Sequence, residues 1–93
     1  MTDKITVLIP MAMRPQAANN ESIVVSGDTV KAVLATITEQ YPDLGKRLFK
    51  GENEVNRFVN LFLNDEDVRF LENLDTSLKD GDELSIVPAI AGG

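Results

Sequence analysis

The sequence contains no cysteine and no histidine. The first absence removes disulfides, thiol nucleophiles and thiolate metal sites. The second removes the commonest general base and metal ligand. No glycine-rich phosphate loop is present, so the chain is not expected to bind ATP or any other cofactor by itself. No apolar run approaches the ~20 residues that a membrane span needs. The start, Met1-Thr2-Asp3-Lys4, has no basic stretch leading into an apolar core. No secretory signal is read there, and the expected compartment is the cytoplasm. Basic charge is scarce: 9 Lys and Arg against 15 Asp and Glu leave a formal net charge of −6. That disfavours nucleic acid, whose phosphates need a basic footprint. It suits a partner with a basic docking surface. In any covalent chemistry, a chain so equipped reads as substrate rather than catalyst.

The 93 residues suffice for one domain. Lys4 to Ile9 is β-rich, with Ile5, Val7 and Ile9 on one face. Met11 to Asn20 reads as a loop. Glu21 to Ser26 is a second strand, forming an antiparallel hairpin with the first. Asp28 is the expected N-cap of a helix. Val30, Val33, Leu34, Ile37 and Tyr41 form its apolar stripe, and Pro42 ends it near Tyr41. Leu44, Leu48 and Phe49 anchor a short helical turn, and Gly51 to Glu54 is a surface loop. Arg57 to Asn64 is the clearest strand: Val59, Leu61 and Leu63 point one way, and Phe58, Asn60, Phe62 and Asn64 the other. Val68 to Phe70 reads as a short return strand after a turn at Asn64 to Asp67. Leu71, Leu74 and Leu78 drop into the core from an irregular stretch. Glu83 to Val87 is the last strand, with Pro88 ending its pairing. This is an α+β plan: one main helix on a mixed sheet of four to five strands.

After that strand comes Val87-Pro88-Ala89-Ile90-Ala91-Gly92-Gly93. Two readings of the terminal glycines stand on composition alone. One is a free carboxylate on a thin tether, since glycine adds almost no width and accepts nearly any φ/ψ. The other is an expression scar or a frayed end.

The element order, ending in a strand and then Gly-Gly, resembles the ubiquitin-like β-grasp family. Within it the chain is similar to the small sulfur carriers of the MoaD and ThiS type, above all to the CysO-type branch that serves cysteine biosynthesis. The likeness is carried by Arg57 to Phe70, by Leu78-Lys79-Asp80-Gly81-Asp82-Glu83 and by Ile86 to Gly93, with Ile9-Pro10 and Arg14-Pro15 fitting the same pattern. It spans nearly the whole chain and is weakest from Asp43 to Asn56. It divides the chain into a β-grasp domain, 1–88, and a flexible tail, 89–93.

The resemblance implies a chemistry. A partner enzyme adenylates the Gly93 carboxylate with ATP, and a sulfur donor converts the adenylate to a thiocarboxylate. Gly92 permits close backbone approach inside the partner's channel. Ala91, Ile90 and Ala89 are small or apolar and suit an added extended strand. Pro88 limits the entropy of the tail. The implied partners are an adenylating sulfurtransferase and a sulfur-accepting enzyme, either a PLP-dependent cysteine synthase or the large subunit of molybdopterin synthase. A JAMM-type metalloprotease would release the product in the first case. Other roles stay open: small subunit of molybdopterin synthase, carrier for thiamin or tRNA thiolation, ubiquitin-like modifier of lysines, or interaction module with an inert tail.

Two further features are read from the residues. Leu8, Phe62 and Val87, with Phe58 at the margin, fall on the face opposite the helix. They form either a docking surface or ordinary exposed apolar area, and the resemblance favours docking. The run Asp65-Glu66-Asp67 lacks the later bidentate Glu of a calcium loop, so it reads as a solvated turn rather than a metal site. Arg57 and Arg69 are expected to pair with nearby acids.

Overall fold

Alternating β-branched residues and one helical stripe build a single sheet with a helix across it. The computed structural model describes residues 4–51, 54–56 and 59–88. The strands are β1 (Lys4–Leu8), β2 (Ser22–Ser26), β3 (Phe49–Gly51), β4 (Glu54–Val55), β5 (Val59–Leu63), β6 (Glu66–Asp67) and β7 (Glu83–Pro88). The helices are α1 (Val30–Gln40) and α2 (Pro42–Leu48). A five-stranded sheet runs β2-β1-β7-β5-β6, and β3 and β4 make a separate small hairpin. β1 pairs antiparallel with β2 and parallel with β7, while β7 pairs antiparallel with β5. The expected α+β plan, with four to five strands on one main helix, is observed.

The core follows the predicted alternation. Ile5, Val7 and Ile9 are buried, as are Ile23 and Val25 of β2, Val59 and Leu61 of β5, and Leu84 and Ile86 of β7. Val30, Val33, Leu34 and Ile37 of α1 face them, and Leu44 and Leu48 of α2 complete the cluster. Leu78 is buried and Leu74 packs against the cluster, while Leu71 is half-buried. The two helices approach closely at Gly45, where a Cβ would stand 2.6 Å from the Thr38 hydroxyl and methyl. Only glycine fits that contact without displacing Thr38.

Several local expectations are corrected. The N-cap of α1 is Thr29, not Asp28: the Thr29 hydroxyl accepts from the Ala32 N–H at 3.1 Å. Asp28 instead offers its carbonyl to the Leu78 N–H, and the Val30 N–H donates to the Thr76 carbonyl. These two bonds tie the start of the helix to the return segment and set where it begins. Met11 to Ala17 is a 3-10 helix rather than a loop. The Gly51 to Glu54 loop shrinks, since both named ends belong to β3 and β4. The return strand is Glu66–Asp67, and Val68–Phe70 is a 3-10 turn. Asn64 and Asp65 have φ of 48° and 74°. That is a two-residue hairpin turn of the mirror-image kind, so pairing resumes at once. Pro88 lies inside β7, opposite Val59. The last β1 residue paired with β7 is Leu8, opposite Ser85. Beyond Ser85, β7 has one neighbour, and a missing N–H is tolerated there.

Candidate docking face and tail root

The strand registers set out the face opposite α1. Leu8 lies beside Ser85, and Ser85 beside Phe62, so three strands place these residues in one row. Val87 lies two residues along β7, opposite Asn60. Since Val7, Leu84, Ile86 and Leu61 point into the core, Leu8, Ser85, Val87, Asn60 and Phe62 point away from it. Leu8 and Phe62 are half-buried, and Val87 is 39 % exposed. The structure thus brings Leu8, Phe62 and Val87 to one face. Phe58 lies outside the described residues. Asn60 was placed beside Phe62 by the alternation of β5 but not counted in the patch, and Ser85 was not singled out; the same period-two alternation in β7 is the signal that places it there. None of these five side chains is charged.

The row ends in an ion pair. Asp67 stands opposite Phe62 in the β5–β6 ladder. Its Oδ2 accepts from Arg69 Nη2 at 2.7 Å and from Nε at 3.1 Å, while Oδ1 accepts from the Arg69 backbone N–H at 2.9 Å. Asp67 is buried, so it is not the solvated turn residue expected from the sequence. Arg69 pairs with an acid as expected, and Arg57 lies outside the described residues. Among the described residues no group of three His, Cys, Asp or Glu is arranged to hold a metal ion.

Hydrogen bonds from the Arg69 side chain and backbone hold the Asp67 carboxyl below its ordinary value of 3.8. A carboxyl depressed by folding stabilises the fold above its unfolded pKa, and that contribution is lost as pH falls through the folded value. Asp67→Ala is therefore expected to cost about 1 kcal/mol at neutral pH through loss of the cap and the pair. Urea unfolding curves of the variant and the wild type should converge as pH falls below 3.8. A gap that stays constant into acid would show that the carboxylate charge contributes nothing.

Ala89, Ile90, Ala91, Gly92 and Gly93 lie outside the described residues. Their point of attachment is described. Pro88 ends β7, the middle strand of the sheet, at the edge where β1 also ends and β5 begins. Among the described residues no helix is long and apolar enough to cross a membrane.

Comparison with known proteins gives this face a context. Residues 7–93 match the model of the ThiS family. The chain is 42 % identical over 91 residues to the sulfur carrier protein CysO of Mycobacterium tuberculosis, covering 96 % of this chain and 98 % of that one. It superposes on a chain of the Amycolatopsis orientalis BexX/CysO complex with a TM-score of 0.87 at 37 % identity, covering 96 % of this chain and 99 % of the other. It also superposes on small archaeal modifier protein 1 of Methanosarcina acetivorans, with a TM-score of 0.88 at 30 % identity and coverage of 100 % and 99 %. Matching architecture and near full-length sequence similarity agree: the chain belongs to the ThiS family, the ubiquitin-like β-grasp sulfur carriers of the ThiS and MoaD type.

Proposed function

We propose that this chain is a sulfur carrier whose Gly93 carboxylate is the reacting group. The observation that carries the reading is the family match, which runs through residue 93. A carboxylate is a poor electrophile because its charge is delocalised. Attack of a Gly93 oxygen on the α-phosphorus of ATP, with pyrophosphate leaving, gives an acyl adenylate without that charge. A sulfur nucleophile then displaces AMP and leaves a thiocarboxylate. ATP is bound by the activating partner, and the carrier is its co-substrate rather than an enzyme. The described body is the handle, and residues 89–93 are the tether that enters the partner's channel.

Similarity to CysO supports cysteine biosynthesis as the destination. The thiocarboxylate sulfur would attack an activated serine derivative held by a PLP enzyme. An acyl shift and hydrolysis by a JAMM-type metalloprotease would then free cysteine and restore Gly93. Wild-type protein is expected to support ATP–pyrophosphate exchange by its adenylating enzyme. A chain that supports none with any adenylating enzyme of its own genome would refute the reading.

The Leu8, Phe62 and Val87 face is assigned to partner docking on the same reading. Phe62→Asp places a charge on the uncharged face, at the end of the row beside Asp67. Binding to the adenylating enzyme should weaken on the order of 10-fold, with a smaller effect on stability. Isothermal titration against the purified enzyme checks this, and unchanged affinity would return the face to ordinary exposed surface.

Similarity to an archaeal modifier protein favours one second reading, conjugation through Gly93 to lysines of target proteins. Higher-mass ladders of a tagged chain in its native cell would distinguish it.

A further inference from the structure

We infer that this chain pairs with a second copy of itself along the free edge of β2, antiparallel and centred on Val24. The inference is independent of the role of Gly93 and of the sheet face assigned to the activating enzyme. The Ile9 N–H donates to the Glu21 carbonyl at 2.8 Å. In an antiparallel ladder, bonded pairs alternate with non-bonded ones. Counted from Ile9 and Glu21, the pairs Val7–Ile23 and Ile5–Val25 are bonded, while Leu8–Ser22, Thr6–Val24 and Lys4–Ser26 are not. The backbone N–H and C=O of Ser22, Val24 and Ser26 therefore point away from β1. β2 ends the sheet on that side, so among the described strands nothing receives them.

Sheet edges of this kind are usually blunted by charge, proline, a bulge or short length. β2 has none of these. Its sequence is Ser-Ile-Val-Val-Ser, and its register with β1 runs unbroken over five residues. Val24, at its centre, is 62 % exposed. The other edge is managed: β6 is two residues long, both acidic, with Arg69 folded onto Asp67.

The symmetry of the strand selects the occupant. Read antiparallel against itself about Val24, β2 sets Ser22 against Ser26, Ile23 against Val25 and Val24 against Val24. In that register Ser22, Val24 and Ser26 each exchange both N–H and C=O with the copy, because all three carry the edge-facing groups. Ile23 and Val25, buried under α1, meet on the inner face, and the two Val24 side chains meet on the outer one. Each chain carries a net charge of −6, yet the paired strands hold no charge, so like charges are not set against each other in the ladder. Five residues a side are few against the ~1,200–2,000 Å² of a stable interface, so the pair is a weak one, with a Kd on the order of 100 µM. Such a dimer keeps both tails free. Five strand spacings separate the two copies of β7, about 24 Å. The two copies of β7 run in opposite directions, and their Pro88 ends lie at opposite ends of the joined sheet.

Sedimentation equilibrium of the full chain tests this without any partner enzyme. Wild-type mass is expected to rise from monomer toward dimer between about 10 µM and 1 mM. Val24→Lys, an edge guard at an exposed site, should stay monomeric with wild-type thermal unfolding. Val24→Pro removes an N–H that faces the free edge, which an edge strand tolerates, and should also stay monomeric. If Val24→Pro does not fold, Val24→Lys decides. Phe70→Lys, 81 % exposed beyond the other edge, should associate as wild type does. Amide exchange fixes the register: the Ser22, Val24 and Ser26 amides should exchange about 3-fold more slowly at ~1 mM than at ~50 µM, as mass action at that Kd requires. The Ile23 and Val25 amides, already bonded to β1, should not change. A wild-type chain still monomeric at about 1 mM would overturn the inference, since even a weak interface would associate there. So would a dimer that survives Val24→Lys, one lost equally in Phe70→Lys, or slowing that falls equally on Ile23 and Val25. Each of these results would leave the proposed function standing.

Discussion

Deletion of Gly93, or replacement of Gly92 by Val, is expected to abolish activation while the body stays folded. The tail acts by placing one carboxylate beside one phosphorus atom. Misplacement by about 1 Å can cost on the order of 100-fold in rate. Removing Gly93 moves the carboxylate by a whole residue. A valine at position 92 adds a β-branched side chain where the tether must pass through a narrow channel, and it forbids most of the φ/ψ freedom of glycine. Both changes lie beyond Pro88 in the sequence, and neither replaces a residue of the buried core. ATP–pyrophosphate exchange should therefore fall by at least about 100-fold, with an unchanged urea midpoint. Normal exchange by either variant would contradict the account.

Leu84→Ala should show the converse. Leu84 is fully buried in the middle strand, opposite Val7 on one side and Leu63 on the other. Truncating it leaves a cavity between the sheet and α1 and should cost about 2–5 kcal/mol. A domain of this size has on the order of 5–10 kcal/mol in all, so the urea midpoint should drop by roughly a fifth or more. Below its melting temperature the variant should still be activated, because the tail and the outward face are unaltered. A loss under about 1 kcal/mol would mean that the site collapses around the missing atoms. Loss of activation in fully folded variant would mean that the body does more than hold the tail.

Much of this architecture was legible because one face of each element is apolar. Val59, Leu61 and Leu63 alternate with polar or aromatic neighbours, so both the strand and its buried face followed from spacing. The stripe from Val30 to Ile37 gave α1 for the same reason. The end of α1 followed from Pro42, and Tyr41 there has φ −133° and ψ 79°, outside the helical range. The misreadings share another cause. Asp28 and Thr29 are adjacent and both good caps, and the choice between them is made by hydrogen bonds to Thr76 and Leu78, far along the chain. The return strand was read two residues late because the turn at Asn64 and Asp65 uses positive φ at both positions without a glycine to announce it. The burial of Asp67 depends on Arg69 folding back over it.

The docking face was half legible. Phe62 and Val87 each declare an outward parity within their own strand. What joins them to Leu8 is β7 lying between β1 and β5, and parallel pairing of the first and last strands has no local signature. The chemistry of the tail was legible only through resemblance. Glycine states what the tether permits and carries no record of which enzyme holds it.

The central claim is that the Gly93 carboxylate is converted to a thiocarboxylate. Its most direct test is the intact mass of the untagged chain, purified after co-expression with its adenylating enzyme and a sulfide source. The account predicts a species heavier than the Gly93-terminated chain by the difference between one sulfur and one oxygen, lost on alkylation of the sulfur and absent from the Gly93 deletion. A single unmodified mass from a chain that does end at Gly93, with adenylation demonstrated in the same sample, would contradict it.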